Sequence, residues 1–202
     1  MVFCSKICAT VRTPYLCTVR AETTPISGLL VLHPRVFEDE RGHFFESYNR
    51  DVLAELGIAE TFVQDNQSLS QKGVLRGLHF QAPPFAQGKL VRVVTGRVYD
   101  VALDIRVGSP TYGQHYGIEL SGANKTQFWI PPGFAHGFVT LEDHTLFAYK
   151  CTAGYSKISE GSVRWNDPQL GIDWGLEQTL LSEKDQLAPL FHELKSPFTF
   201  EP

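Results

Sequence analysis

The sequence predicts an all-β domain, most simply a jelly roll that encloses a cavity between two sheets and carries a few short helices. Short segments rich in β-branched and aromatic residues recur along the 202-residue chain, separated by Gly, Pro and Asn. Helical periodicity is weak, and no linker, repeat or low-complexity tract divides the chain. We therefore predict one domain over residues 25–202.

The predicted strands begin at Leu29 and follow one another closely. Most are bounded by turn residues, which is typical of antiparallel sheets. In chain order their sequences are LLVLHPRVF, GHFFESY, GVLRGLHF, KLVRVV, RVYDVALDI, YGIEL, TQFWI, GFVTL and LFAYKCT.

Two short helices are predicted beside these strands. In NRDVLAELG, Asn49 is a suitable N-cap, and the apolar residues that follow share one face before Gly57 ends the helix. A second helix is predicted for part of SEKDQLAPLFHEL, where Pro189 interrupts the pattern.

The composition excludes two classes of partner. The 18 basic and 22 acidic residues give a net charge of −4 without a run of like charge, so we expect no nucleic-acid partner. No apolar run reaches the ~20 residues that cross a bilayer as a helix, so we expect no membrane span. The cysteines show no CxxC spacing and no accompanying His cluster, which favours a reduced, cytoplasmic protein: Cys4, Cys8, Cys17 and Cys151.

Residues 1–24 are predicted to form an N-terminal extension of unknown role. The first 21 residues contain three basic residues and no acid, which weakly resembles a transit peptide. Their apolar stretches are too short for a secretory signal, and an extended arm is the simpler interpretation.

Two polar residues interrupt the predicted strand GVLRGLHFQ, residues 73–81. Strict alternation would place the side chains of Arg76 and His79 on opposite faces. Gly77 lies between them and is a natural position for a β-bulge, which would turn both side chains towards one cavity. A shared site for the two residues therefore requires a bulge at Gly77.

Asp100 and Asp104 lie four residues apart in another predicted strand and should share one face. Because burying an unpaired charge is costly, buried acids usually have a partner. The sequence leaves two interpretations open, a catalytic role or pairing with Arg92, Arg97 or Arg106.

His136 follows a double proline in PPGFAHGF and is either a structural residue or a ligand. Two histidines on separate strands of a β-barrel would permit a metal site, which needs three or four converging ligands. However, His79 is followed by Phe80 and Gln81 and does not complete an HxH pair. We therefore predict no metal.

The other candidate groups suit proton transfer beside an anionic ligand. Abstraction of a proton next to a carbonyl needs a base, for which His79 is the candidate, and a cation that stabilises the enolate, for which Lys89 is the candidate. Tyr149 is either a core aromatic residue or a phenolic acid, and both interpretations stay open. The chain contains no GxSxG, GxxxxGK or GxGxxG motif, so we predict no cofactor.

Five motifs occur in order along the chain: DERGHFFESY, FVQDNQSLSQKGVLRGLHFQAPPFAQGKLVRVVTGRVYDVALDIRVGSPTYG, WIPPGFAHGF, YKCTAGY and LSEKD. Together they resemble the dTDP-4-dehydrorhamnose 3,5-epimerase family over about residues 26–189. The resemblance implies a cupin-type jelly roll and a homodimer whose N-terminal strands pack into the partner's sheet. It also implies epimerisation of dTDP-4-dehydro-6-deoxy-D-glucose, without metal or nucleotide cofactor, towards dTDP-L-rhamnose or a related deoxysugar.

The resemblance further implies roles for individual residues. His79 is then the base that removes the proton beside the C4 ketone, and Asp185 is the carboxylate that orients it. Lys89 stabilises the enolate, and Tyr149 returns a proton to the opposite face. The positions that match substrate-contacting residues of the family are Arg41, Glu46, Gln64, Asp65, Asn66, Arg76, His136, Glu160 and Lys184.

Two other functions remain as alternatives. One is a metal-dependent cupin oxygenase that uses His79 and His136, and the other is a noncatalytic module that binds a nucleotide sugar. The sequence does not distinguish inversion at C3 alone from inversion at both C3 and C5.

Overall fold

The computed structural model describes residues 8–12, 18–176 and 179–201, with side chains from residue 19 onward. In these ranges two antiparallel sheets face each other, which confirms the predicted all-β jelly roll. The seven-stranded sheet has the order β1 (Cys8–Arg12), β2 (Thr18–Thr23), β3 (Leu30–Pro34), β11 (Gln127–Ile130), β8 (Lys89–Thr95), β13 (Thr145–Cys151) and β6 (Gln64–Ser70). The five-stranded sheet has the order β10 (His115–Ser121), β9 (Arg97–Asp104), β12 (Phe134–Thr140), β7 (Leu75–Gln81) and β14 (Glu160–Ser162). A separate hairpin consists of β4 (Phe37–Asp39) and β5 (Gly42–Phe44).

Two short α-helices occur where the sequence predicts them. Helix α1 spans Arg50–Glu55, and the side chain of Asn49 caps it by accepting two hydrogen bonds from backbone N–H groups of the first turn. Helix α2 spans Glu183–Gln186, and Pro189 follows it. Within the described ranges, no helix has the length and apolar character that a membrane crossing requires. The 3-10 turns are Lys157–Ser159 and Phe191–Glu193.

Three clusters of buried side chains hold the layers together. The central cluster lies between the two sheets, where the rings of Phe138 and Phe147 stack with centroids 4.0 Å apart. A second cluster covers the outer face of the five-stranded sheet with C-terminal residues such as Trp174 and Phe191. A third packs α1 against Trp129 on the seven-stranded sheet. Each fully buried large apolar side chain stabilises the fold by about 1.5–3 kcal/mol.

The N-terminal residues described by the structure extend the seven-stranded sheet. Strand β2 pairs with β3, and β1 pairs with β2 beyond it. The boundary between an extension and the domain at residue 24 stays a prediction. Much of the predicted extension, residues 1–7 and 13–17, lies outside the described residues, and Cys4 and Cys17 lie there as well.

Asp104 is fully buried in a network of donors. Nε and Nη2 of Arg106 donate to its two oxygens at 2.9 and 2.7 Å. The hydroxyls of Ser109 and Thr111 each donate to Oδ2 at 2.6 Å. The arginine pairing considered from the sequence is therefore confirmed for Asp104.

Asp100 is also fully buried, but the arginine alternative does not hold for it. Its two oxygens contact Nε2 of His136 instead, at 3.0 and 2.9 Å. Strand alternation explains the difference. Arg97 has the opposite parity to Asp100 on the same strand, and Arg92 alternates with Val91, which faces the interior.

The network around Asp104 leads to a prediction about stability and pH. Burial alone raises the pKa of Asp104, but the donors from Arg106, Ser109 and Thr111 together hold it below its usual value. Its stabilising contribution is therefore present above the pKa of an unfolded Asp, about 3.9, and is lost as the pH falls through the lower folded-state pKa. We expect Asp104→Asn to lower the free energy of unfolding by about 3 kcal/mol at pH 7, because it leaves a buried guanidinium unpaired.

Urea unfolding at pH 7 and at pH 3 measures this effect, and the difference from the unsubstituted protein should be smaller at pH 3. Glu119→Gln is the matched control, because it removes an exposed partner of Arg97 at 3.5 Å. That change should alter the free energy of unfolding by less than about 1 kcal/mol. If Asp104→Asn and Glu119→Gln lower the free energy of unfolding equally, the hydrogen bonds around Asp104 do not stabilise the fold more than an exposed ion pair does.

Candidate active site

The strand that carries Arg76 and His79 is irregular at Gly77. His79 lies opposite His136, whereas Arg76 lies opposite Phe138, so β7 contains one more residue than β12 between the two pairs. This is a β-bulge, and it confirms the prediction. Because of the bulge, the side chains of Arg76 and His79 line the same cavity.

That cavity has a volume of about 480 Å³ and lies between the two sheets, with residues near α2 along one side. Apolar rings such as Phe138 and Phe147 form part of its wall. The remainder is rich in groups that can bind an anion or move a proton. Seven of the predicted site residues line it: Arg76, His79, Lys89, His136, Tyr149, Lys184 and Asp185.

The imidazole of His79 contacts the carboxylate of Asp185, with 2.5 Å between Nε2 and Oδ1. The chain before α2 runs along β7, because the backbone N–H of Leu75 donates to the carbonyl of Leu180 at 2.9 Å. Ser182 then caps α2 by accepting the N–H of Asp185. These contacts explain how a carboxylate from the C-terminal part of the chain reaches the imidazole.

The charge of Asp185 follows from its surroundings. Burial raises the pKa of Asp185, but the hydrogen bond and charge of His79 outweigh burial and hold this pKa below its usual value, with help from Ser182 and Lys184. The carboxylate is therefore ionised at neutral pH and fixes the orientation of the ring. Since Nε2 contacts Asp185, Nδ1 is the nitrogen left to act on a ligand.

Lys89 begins β8 and lies opposite Cys151 on β13. Its half-buried side chain contributes to the cavity wall. Burial lowers the pKa of the ammonium group, while Cys151 and Asp100 oppose this effect. A partly desolvated cation at this position interacts strongly with negative charge that develops on a bound molecule.

Tyr149 on β13 lies opposite Asn66 on the edge strand β6. Burial raises the pKa of the Tyr149 phenol, although Arg76 and the side chain of Asn66 oppose the effect. The hydroxyl therefore keeps its proton through neutral pH. The ring also packs against Phe147, with centroids 5.9 Å apart, so Tyr149 belongs to both the core and the cavity.

A smaller cavity of about 150 Å³ shares His79, Lys89 and Tyr149 with the first. Gln64 and Asn66 contribute to its wall, and Nε2 of Gln64 donates to Oδ1 of Asn66 at 3.0 Å.

Glu160 also lines this smaller cavity. Its carboxylate pairs with Nζ of Lys184 at 2.8 Å, and both side chains remain partly exposed. Gln64, Asn66 and Glu160 therefore line a cavity that shares three wall residues with the main cavity: His79, Lys89 and Tyr149.

Three predicted site residues do not line either cavity. Asp65 alternates with its neighbours on β6 and pairs instead with Lys150, at 2.8 Å. Arg41 is in the β4–β5 turn, where it pairs with Asp39 and its side chain is 86% exposed. Glu46 accepts a hydrogen bond from the side chain of Asn49 near α1.

The sequence left a catalytic role for Asp100 open without naming it among the site residues, and the structure places it against His136 in the cavity wall. The sequence does contain a signal for this position, because Asp100 has the same strand parity as the apolar residues Val98 and Ala102 and should therefore face the interior with them. Among the residues that the structure describes, no group of three or more His, Cys, Asp or Glu side chains is arranged to hold a metal ion.

The fold and the cavity define the protein as a cupin-type jelly roll with a cavity between its sheets that contains a His–Asp pair, a lysine and a tyrosine. More specifically, the chain belongs to the dTDP-4-dehydrorhamnose 3,5-epimerase family, whose profile matches residues 23–193. The match covers most of the chain and confirms the resemblance seen in the sequence motifs.

Individual relatives agree with this assignment. A dTDP-4-dehydrorhamnose 3,5-epimerase of Salmonella typhimurium is 58% identical over 172 residues, which cover 84% of this chain and 94% of the relative. A crystal structure of a dTDP-6-deoxy-D-glucose-3,5-epimerase from Legionella pneumophila in complex with dTDP-4-keto-L-rhamnose is 51% identical, with a TM-score of 0.87 over 91% of this chain and 100% of that one. A dTDP-4-dehydrorhamnose 3,5-epimerase structure from Elizabethkingia anophelis is 52% identical, with a TM-score of 0.83 over 87% and 97% of the two chains.

Proposed function

We propose that this protein is an epimerase that inverts C3, C5 or both in dTDP-4-dehydro-6-deoxy-D-glucose, in the formation of dTDP-L-rhamnose or a related deoxysugar. One observation carries the proposal: His79, held by Asp185, shares a single cavity with Lys89 and Tyr149. Family membership and the nucleotide-sugar complex of the relative from Legionella pneumophila support the substrate class.

The proposed reaction begins when Nδ1 of His79 removes the proton from the carbon beside the C4 ketone. The electron pair of the C–H bond forms a C=C bond, and the carbonyl π electrons move to O4, where the ammonium of Lys89 stabilises the enolate. Tyr149 then donates its proton to the opposite face, which forms a new C–H bond and inverts the centre. His79 ends protonated and Tyr149 ionised, so a proton must pass between them through solvent before the next inversion.

The remaining cavity residues suit the nucleotide end of the substrate. The guanidinium of Arg76, whose side chain contacts Ser70 at 3.4 Å, offers the planar donor pattern that a diphosphate accepts. Lys184 adds a second cation at the edge of the same cavity. We propose that His136 and the residues of the smaller cavity contact the sugar and nucleoside: Gln64, Asn66 and Glu160.

We also propose that the protein acts as a cytoplasmic homodimer without a nucleic-acid partner. Arg41 and Glu46 lie outside the cavity of their own chain, so they can contact substrate only across an interface between two chains. Asp65 faces away from the cavity, so its proposed substrate contact also requires an interface between two chains. The absence of a run of like charge supports the exclusion of nucleic acid, and the cysteine pattern supports a reducing compartment.

Incubation with dTDP-4-dehydro-6-deoxyglucose in heavy water tests the function. Because the carbon acid exchanges its proton with groups that equilibrate with solvent, we expect deuterium at C3, C5 or both, measured by NMR at each position. The labelled positions also decide between inversion of one carbon and inversion of both. Binding of dTDP without deuterium at either carbon would reject the epimerase and favour the noncatalytic nucleotide-sugar module.

The pH dependence of exchange should have an alkaline limit set by Lys89. Burial lowers the pKa of Lys89, so its ammonium loses the proton at a lower pH than an exposed lysine, whose pKa is about 10.4. Tyr149 has a raised pKa and keeps its proton longer. We therefore expect Lys89→Arg to move the alkaline limit upwards, because a guanidinium stays charged, even where the maximal rate is lower. If Lys89→Arg leaves the alkaline limit unchanged, a group other than Lys89 sets that limit.

A further inference from the structure

Asp100 is a fully buried carboxylate that the proposed reaction does not use. Strands β9, β12 and β7 are neighbours in the five-stranded sheet, and His136 on β12 lies directly opposite His79 on β7. Asp100 has the same parity as Val98 and Ala102, which belong to the core between the two sheets. Asp100, His136 and His79 therefore come from three adjacent strands and face the same interior.

The contact between Asp100 and His136 involves one ring nitrogen and both carboxylate oxygens. Nε2 of His136 lies 3.0 Å from Oδ1 and 2.9 Å from Oδ2 of Asp100. An ionised carboxylate only accepts hydrogen bonds, so Nε2 carries the proton and Nδ1 is the nitrogen available to a ligand.

The environment favours a neutral ring at His136. Burial lowers the pKa of His136, and the charges of Lys89 and His79 lower it further, whereas Asp100 opposes them. A neutral imidazole that donates from Nε2 presents an acceptor at Nδ1. Such an acceptor suits a hydroxyl of a sugar and cannot protonate the base on the neighbouring strand.

Lys89 begins β8 in the other sheet and lines the same cavity as His136, the partner of Asp100. Burial lowers the pKa of Lys89, while Cys151 and Asp100 raise it. A negative charge behind the cavity therefore helps to keep the ammonium protonated. The other ionisable or phenolic groups around this cavity are Arg76 and His79 on β7, Tyr149 on β13, and Lys184 and Asp185 on α2.

We propose that Asp100 is a positioning residue for the epimerisation, which fixes His136 as the Nε2–H tautomer and supplies the buried counter-charge for Lys89. The inference rests on the proposed function, because it assigns Asp100 to the proton-transfer step. Asp100 acts through the side chains of His136 and Lys89 and does not touch the substrate. The site thus contains two His–Asp pairs whose histidines lie on the adjacent strands β7 and β12, one pair that orients a base and one that orients an acceptor.

Asp100→Asn tests this role because it keeps the shape of the side chain and removes its charge. We expect kcat for deuterium exchange to fall by about tenfold or more, the scale on which outer hydrogen-bond partners affect the groups that they orient. The alkaline limit should move downwards by about 1 pH unit, because Lys89 loses an opposite charge. Affinity for dTDP, measured by calorimetry, should change little.

Asp104→Asn is the matched control, since Asp104 is a fully buried carboxylate on the same strand that pairs with Arg106 outside the cavity. It should lower stability and leave the alkaline limit unchanged. If Asp100→Asn behaves in the same way, with lower stability and an unmoved pH profile, Asp100 is only a structural residue and the proposal is overturned.

Nitrogen-15 NMR of His136 in the unsubstituted protein provides a second test, which does not depend on the folding of a variant. The proposal requires a neutral ring protonated at Nε2 between about pH 6 and 8, near the usual histidine pKa. A ring protonated at Nδ1, or at both nitrogens, would overturn it. If the unsubstituted protein incorporates no deuterium, the proposed function fails, whereas the NMR spectrum still reports separately on the Asp100–His136 pair.

Discussion

His79→Asn is expected to lower the incorporation of solvent deuterium at C3 and C5 by roughly 10³-fold, because it removes the proposed general base from the cavity. Asparagine is close to histidine in size and can still hydrogen-bond Asp185, so the surrounding packing should persist. Affinity for dTDP should stay within about twofold, since the base acts on a proton and not on the diphosphate. NMR-detected exchange and calorimetry of dTDP binding measure the two effects.

The control for this change is His192→Asn, which alters an exposed histidine in the 3-10 turn near the C-terminus. It should leave exchange and binding unchanged. Full exchange in His79→Asn would show that another group removes the proton. Loss of folding in His79→Asn alone would favour a structural histidine and would remove the main argument for the proposed mechanism.

Gly77→Ala is expected to lower the free energy of unfolding by about 3 kcal/mol or more, through a positive φ and a backbone collision. Gly77 has φ of +133°, a conformation that residues with a side chain rarely adopt. A Cβ at this position would lie 2.4 Å from Cα of Gly137 and 2.9 Å from the carbonyl oxygen of His136. These neighbours are backbone atoms of the adjacent strand, so relief requires β7 and β12 to separate.

Urea unfolding of Gly77→Ala and Gly154→Ala checks this expectation. A Cβ at Gly154 would meet no atom within 4 Å, and Gly154 has no positive φ, so alanine should be tolerated there within about 0.5 kcal/mol. If Gly77→Ala is equally stable, the bulge does not depend on glycine. If it folds but loses exchange, Arg76 and His79 no longer share the cavity.

Local signals account for what could be predicted about the fold. The strands were visible because their apolar residues are bounded by Gly, Pro and Asn, and α1 because Asn49 caps a short apolar face. The bulge could be anticipated because Gly77 stands between Arg76 and His79, which alternation would separate. Each of these inferences needed only a few neighbouring residues.

The site needed information that short segments do not contain. The pairing of Asp100 with His136 depends on the register between β9 and β12, and a slip of one residue would turn Asp100 to the other face. Asp185 was placed beside His79 through the family resemblance, since the residues are 106 positions apart. Arg41 matches a substrate-contacting position of the family, but in a single chain its side chain is exposed to solvent.

The distance along the chain between His79 and Asp185 has a consequence for synthesis. A ribosome that makes this protein synthesises every strand of both sheets before it reaches position 185. The strands around His79 can therefore begin to assemble while the imidazole still lacks its carboxylate partner. A nascent chain acquires the complete His79–Asp185 pair only when α2 emerges and docks, so this pair forms late and is sensitive to premature termination near the C-terminus.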